Sequence, residues 1–151
     1  MADTSLNEDR LGLLIWQTSN IWQSNLRKII KNYHISLNEY LIIETIYKLL
    51  PLEQNISQIN ISRNAFLDVS VVSFNLMILE RKKIINRFKI DNRTNGTSLT
   101  AKGMSLITSI IDTITKEEAN FFNKLGSESF NFKNSLKLLL GKKIRIKANN
   151  E

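Results

Sequence analysis

The sequence predicts a mainly α-helical fold with one small β element. Three observations carry that expectation. Apolar residues recur at spacings of three and four through most of the 151 residues. That period breaks near Ile84–Ile90, and an Asn-Gly pair follows at Asn95–Gly96, a hairpin signal. Pro51 is the single proline, so little else interrupts the helical pattern.

Residues 6–33 read as one long helix, with Leu11, Ile15, Trp22, Leu26, Ile29 and Tyr33 along its stripe. Leu14, Trp16 and Ile21 widen the stripe, which predicts two partners for it, its own core and another chain. Ser36-Leu37-Asn38-Glu39 has the capping-box pattern, in which serine accepts from the third amide and glutamate reaches back. A second helix is expected from Leu37 to Leu50, with Tyr40, Ile43, Tyr47 and Leu50 inward, and Pro51 cannot continue it. A short helical piece near 57–65 places Ile59, Ile61 and Ala65 inward. Asp68 offers an N-cap for the next helix, which runs to about Lys82. Its inner face is Val69, Val72, Leu76 and Leu79; its outer face is Ser70, Ser73, Asn75 and Lys82, with Val71 and Phe74 beside them.

Ile84, Ile85, Arg87, Phe88 and Ile90 then read as a strand, Asp91–Gly96 as the turn, and Thr97–Leu99 as a short return strand. Thr100 is placed to cap a last long helix carrying Met104, Ile107, Ile111, Ile114, Phe121 and Leu125, which Gly126 closes. A final segment, 128–140, puts Phe132, Leu136, Leu139 and Leu140 on one side. Asn, Ile and Lys are over-represented, a bias that reads as an A·T-rich gene, so asparagine is discounted as a turn signal.

Composition excludes several function classes. The chain is 42% apolar and 23% charged, as a globular domain is. It has no cysteine, which removes disulfides, thiolate metal sites, a cysteine nucleophile and thiol redox switching. It has one histidine, His34, expected in a loop at a helix end. No glycine-rich phosphate loop and no paired carboxylates stand out, so an enzyme, a metal site and a cofactor are not expected. No apolar run approaches the ~18 residues that span a bilayer, and the acidic start MADTSLNEDR is not a signal peptide. The expectation is a cytoplasmic protein with no membrane partner.

The net charge of +7 is unevenly spread. Residues 1–10 carry −2, residues 79–103 carry +5, and residues 133–151 carry +5. Local basic excess of this kind is either a solvated face or a footprint for a polyanion. The order of elements decides between them. Two helices, a longer helix with a hydroxyl-rich outer face, and then a basic two-stranded hairpin make the order of a winged helix-turn-helix. In it the outer face of 69–82 is free to enter a major groove about 12 Å wide.

The residues also resemble a known family. Leu79-Glu80-Arg81-Lys82-Lys83-Ile84-Ile85 is similar to the Leu-Glu-x-x-Gly-Leu-Ile segment that ends the recognition helix in MarR-type regulators. Asp91-x-Arg93 followed by Leu99-Thr100-x-x-Gly103 matches their wing signature. Ile61-Ser62 stands where that family has Leu-Ala, and Ser70–Ser73 where it has a Ser/Thr-rich helix start. The resemblance covers about residues 6–125. It implies one domain over 1–151: a winged-helix lobe at 36–103 and dimerisation helices at 6–34 and 104–146. It implies a homodimer on a palindromic operator in double-stranded DNA, often relieved by a small aromatic ligand. Three departures stand out: Lys83 in place of glycine, Phe74 in place of a basic residue, and Asn95-Gly96-Thr97 in a return strand that is normally apolar, which implies a shortened wing.

On this reading Ser70, Val71, Ser73, Phe74 and Asn75 are the recognition-helix candidates, with Val71 or Phe74 against thymine methyls. Arg63, Arg81, Lys82, Arg87, Lys89, Asp91 and Arg93 are the backbone and wing candidates. Asp91 and Arg93 form either a plain turn pair or, as the resemblance implies, an aspartate that orients an arginine into the minor groove. Trp16, Trp22, Tyr40 and Tyr47 are either core or the walls of a ligand pocket. The alternative function is a winged-helix protein-interaction module that has lost DNA binding, which Phe74 favours.

Overall fold

The computed structural model describes residues 8–144. Its order is α1 (Leu11–Ile30), a 3-10 turn at Lys31–Tyr33, α2 (Leu37–Leu49), β1 (Ile56–Ser57), α3 (Gln58–Ala65), α4 (Val69–Arg81), β2 (Ile85–Lys89), β3 (Asn95–Leu99), α5 (Ala101–Phe122), a 3-10 segment at Asn123–Glu128 and α6 (Ser129–Leu139). The fold is mainly α with a small antiparallel sheet, as expected. Residues 6 and 7 of the expected first helix, and 145–147 of the basic tail, lie outside the described residues.

The chain divides into two compact units, residues 1–114 and 115–151. In the first unit α2, α3 and α4 pack on one another and α1 packs on α2. Leu26 and Ile30 of α1, Ile42, Ile43 and Ile46 of α2, Ile61 of α3, Val72, Leu76 and Leu79 of α4, and Ile107, Ile110 and Ile114 of α5 form one core. The capping box at Ser36 is present: Glu39 N donates to Ser36 Oγ at 3.1 Å, and Ser36 N donates to Glu39 Oε1 at 3.4 Å. A second one opens α3, where Asn60 N donates to Ser57 Oγ at 3.2 Å and Ser57 N to Asn60 Oδ1 at 3.0 Å.

The sheet has three strands in the order β1-β3-β2 rather than the two expected. Ile56 and Ser57 pair with Thr97 and Gly96, so the loop after Pro51 returns as a short strand. Asn95–Gly96 does not form the turn. Those residues pair with Lys89 and Phe88, and the chain reverses at Ile90–Thr94, where Ile90 N donates to Thr94 O at 2.9 Å. Gly96 serves packing instead, because a Cβ there would lie 2.5 Å from the Phe88 ring. Gly103 has a similar reason: a Cβ would overlap the Ile84 carbonyl oxygen. Thr100 Oγ1 accepts from Gly103 N at 3.0 Å, which caps α5 as expected.

Several inward assignments shift. Ile59, Val69 and Met104 are exposed, and the buried face of α2 runs through Ile42, Ile46 and Leu49 rather than Tyr47 and Leu50. Ile59 and Val69 lie in the first turns of α3 and α4, outside the core. In the second unit Phe122 lies 6.5 Å from Phe132 between ring centroids. Gly126 breaks the helix with φ +53°, a left-handed conformation that favours glycine.

Candidate nucleic-acid interface

The outer face of α4 is a single stripe. Ser70, Ser73, Phe74, Met77 and Arg81 are all exposed, with Ser70, Ser73, Met77 and Arg81 at three- and four-residue steps and Phe74 beside Ser73. The inner face, Val72, Leu76 and Leu79, is fully buried and fixes the direction of that stripe. Hydroxyls stand at its N-terminal end, an aromatic ring and a thioether at its middle, and a guanidinium at its C-terminal end. Phe74 is 59% exposed.

Asn75 is not on this stripe. It is 6% exposed, and its Nδ2 donates to the Val71 carbonyl at 2.8 Å. One of its two N–H donors is used on its own helix, and burial keeps the rest of the side chain from the outer face. Val71 is half-buried beside it. Met77 was not expected; its position four residues beyond Ser73 was the signal that would have found it.

Lys82 is also turned away from the outer face. Its Nζ donates to Glu39 Oε2 at 2.7 Å and to the His34 carbonyl at 3.0 Å. It ties the C-terminal end of α4 to the elbow before α2, where His34 has φ +58° and closes the 3-10 turn. Lys83, the next residue, adopts φ +60°, which gives a physical reason for glycine at that position in the resembling family.

The wing faces follow from its register. Ile85, Arg87 and Lys89 share one side of the sheet with Leu99, Thr97 and Asn95. That side turns inward at its base, where Ile85 and Thr97 are buried. Arg87 is therefore half-buried, and its Nε is buried without a hydrogen-bond partner among the described residues. Lys89 and Arg93, nearer the tip, are exposed, as is Arg63 on α3. α4 contacts β2, so the helix that carries the outer stripe and the hairpin are neighbours in one unit.

Asp91 organises the tip. Its Oδ1 accepts from the backbone N–H groups of Arg93 and Thr94, each at 2.8 Å. The Arg93 amide bond, and then that of Thr94, hold the Asp91 carboxyl below its ordinary value. The carboxylate thus builds the turn backbone, and among the described residues the Arg93 guanidinium has no ion pair with it.

The four aromatic candidates differ in burial. Tyr40 is buried in the core, Trp22 and Tyr47 are half-buried, and Trp16 is exposed. A cleft of about 440 Å³ in the first unit is lined by Arg27, Ile30, Lys31, His34, Ile35, Ser36 and Leu37, and by none of the four. Among the described residues no cluster of His, Asp and Glu could hold a metal ion, and no helix is long and apolar enough to cross a membrane.

No family model and no curated protein matches this sequence. Solved structures do. MepR of Staphylococcus aureus in complex with DNA is similar with a TM-score of 0.78 at 21% identity, over 87% of this chain and 96% of that one. A MarR-family transcriptional regulator from Rhodococcus sp. gives 0.80 at 13% identity, over 94% and 99%. A MarR-family protein from Bacillus stearothermophilus gives 0.66 at 20% identity, over 87% and 91%. The chain has the winged helix-turn-helix fold of MarR-type regulators.

Proposed function

We propose that this chain, built on the fold of the MarR-type regulators, is a sequence-specific DNA-binding transcriptional regulator. The observation that carries the reading is an exposed stripe on α4, the same helix that contacts a basic hairpin in the first unit. α4 enters the major groove, and Arg63, Arg81, Lys89 and Arg93 meet phosphates or the neighbouring minor groove. The Arg93 guanidinium, presented on a turn that Asp91 stiffens, suits a narrow A·T minor groove. The DNA-bound state of the similar MepR supports the same reading.

The working form is a homodimer on a palindromic site, in the cytoplasm. α1 presents Leu11, Ile15, Trp16 and Ile21 uncovered, and α6 presents Leu138 and Leu139 uncovered. A second copy is the cover that also gives a two-fold protein for a two-fold site. No catalytic role is part of this reading.

Affinity measured against salt tests it. If about three phosphates are neutralised per subunit, a dimer gives a log–log slope near −5. Arg93→Ala should weaken binding by about 1–3 kcal/mol if the side chain lies in a groove. A flat salt dependence would overturn the reading. The second reading, a protein-interaction module, would then lead, because Phe74 and Phe66 place aromatic surface on the α3–α4 side of the lobe, Phe66 being 70% exposed.

A further inference from the structure

We propose that the recognition helix reads DNA chiefly through the 5-methyl groups of thymine, with Phe74 as the reading residue and Met77 beside it. The proposal rests on the DNA-binding reading above and states what that surface recognises.

Elimination and charge lead to it. Bidentate readout of base edges needs an amide or a guanidinium directed into the groove. Asn75, the amide on α4 nearest the middle of the stripe, is 6% exposed and already bonded to the Val71 carbonyl. Lys82 is held by Glu39 and the His34 carbonyl. Arg81 is at the last turn of the helix, where a cation meets the backbone more readily than a base edge. The middle of the outer stripe is then Ser73, Phe74 and Met77.

Ser73 can donate or accept one hydrogen bond and distinguishes bases poorly. Phe74, 59% exposed, is an aromatic ring held on a rigid helix in water. In a major groove the one apolar feature is the thymine methyl. The exposed basic residues of the same unit, Arg63, Arg81, Lys89 and Arg93, favour a polyanionic partner over an apolar protein surface. The methyl lies on one side of the base pair, so a ring against it separates A·T from T·A as well as from G·C. Methyl burial supplies a contact of the required size, because each methyl removed from water changes affinity by about three- to fourfold.

The test begins with a duplex selected from a random library by the full-length chain. That duplex is resynthesised with deoxyuridine in place of every thymidine, which keeps base pairing and removes only the methyls. The wild-type chain should bind the uracil duplex about tenfold more weakly for one methyl per subunit of the dimer, and on the order of a hundredfold for two. Phe74→Ala should bring the thymine-to-uracil ratio close to one, and Phe74→Leu should keep most of it. Phe74 is exposed, so both variants should fold, and circular dichroism checks this. Equal wild-type affinity for the two duplexes would overturn the proposal and leave the DNA-binding reading standing. A ratio that survives in Phe74→Ala would overturn Phe74 as the reader. Failure of any duplex to enrich, with a flat salt dependence, would overturn the reading on which the proposal rests.

Discussion

Lys83 stands at φ +60°, a conformation that costs an L-residue with a Cβ about 1–2 kcal/mol relative to glycine. It is there because the chain must leave α4 abruptly: Lys83 N donates to the Glu80 carbonyl and Ile84 N to the Leu79 carbonyl, both at 3.0 Å. Lys83→Gly should therefore raise stability by about 1 kcal/mol in urea denaturation, with unchanged DNA binding at fixed salt if this lysine meets no phosphate. A destabilised glycine variant would show that the lysine side chain holds the turn. Asp91 gives the pH-dependent counterpart. Its carboxyl is held below 3.8 by two amides, so its support of the wing tip is complete above that value and is lost as pH falls through the lower, folded-state value. Its carboxyl carbon should titrate with a midpoint below 3.8 by NMR, and Arg93 and Thr94 amide exchange should rise over the same range. A midpoint at or above 3.8 would mean that the turn is not formed in solution.

Among the elements, α4 shows how a pattern can point to a face and miss its edge. The inner residues Val72, Leu76 and Leu79 were legible because apolar spacing reports burial directly. The polar residues next to them were not, because a polar side chain at the margin of a stripe can satisfy itself. Asn75 does so on the Val71 carbonyl, and Lys82 does so on Glu39, 43 residues away in sequence. No local pattern reports a contact of that separation. The same limit explains the sheet. β1 is two residues long and exists only through its pairing with Thr97 and Gly96, and its capping box at Ser57 uses Asn60, a residue type discounted on composition. The wing motif, by contrast, was legible because Asp91 and Thr100 act within three residues of their own places and only Gly103 meets a distant part of the chain. Asp91 holds a turn, Thr100 caps a helix, and Gly103 admits the Ile84 carbonyl.

The Glu39–Lys82 contact makes a prediction about α4 as a body. Glu39 is buried and Lys82 is more than a third exposed, so Lys82→Met should cost about 1–3 kcal/mol of stability, below the figure for a wholly buried pair. DNA affinity should fall because α4 loses its tie to the α1–α2 elbow, but the salt slope should not change. A slope shallower by about one for each lost phosphate contact would instead put Lys82 on the DNA. Glu39→Gln should reproduce the Lys82→Met phenotype.

At the scale of the whole molecule, the uncovered apolar residues of α1 and α6 predict self-association. Sedimentation at micromolar concentration should give a dimer, and Trp16→Glu should shift it towards monomer while circular dichroism stays helical. A well-folded wild-type monomer there would remove the two-fold protein from the proposed function. The order β1-β3-β2 has a different consequence for the molecule in solution. Among the described residues β2 has a hydrogen-bonded neighbour strand on one side only, so its other side offers N–H and C=O groups to any passing strand. Lys89 stands on that edge, with Arg87 before it and Arg93 just beyond the strand. Like charges there repel a second copy of the same hairpin before its backbone can anneal. The cations read here as an anion-binding surface are thus also a guard against aggregation, and the wing is free to exist as an open edge because it is basic.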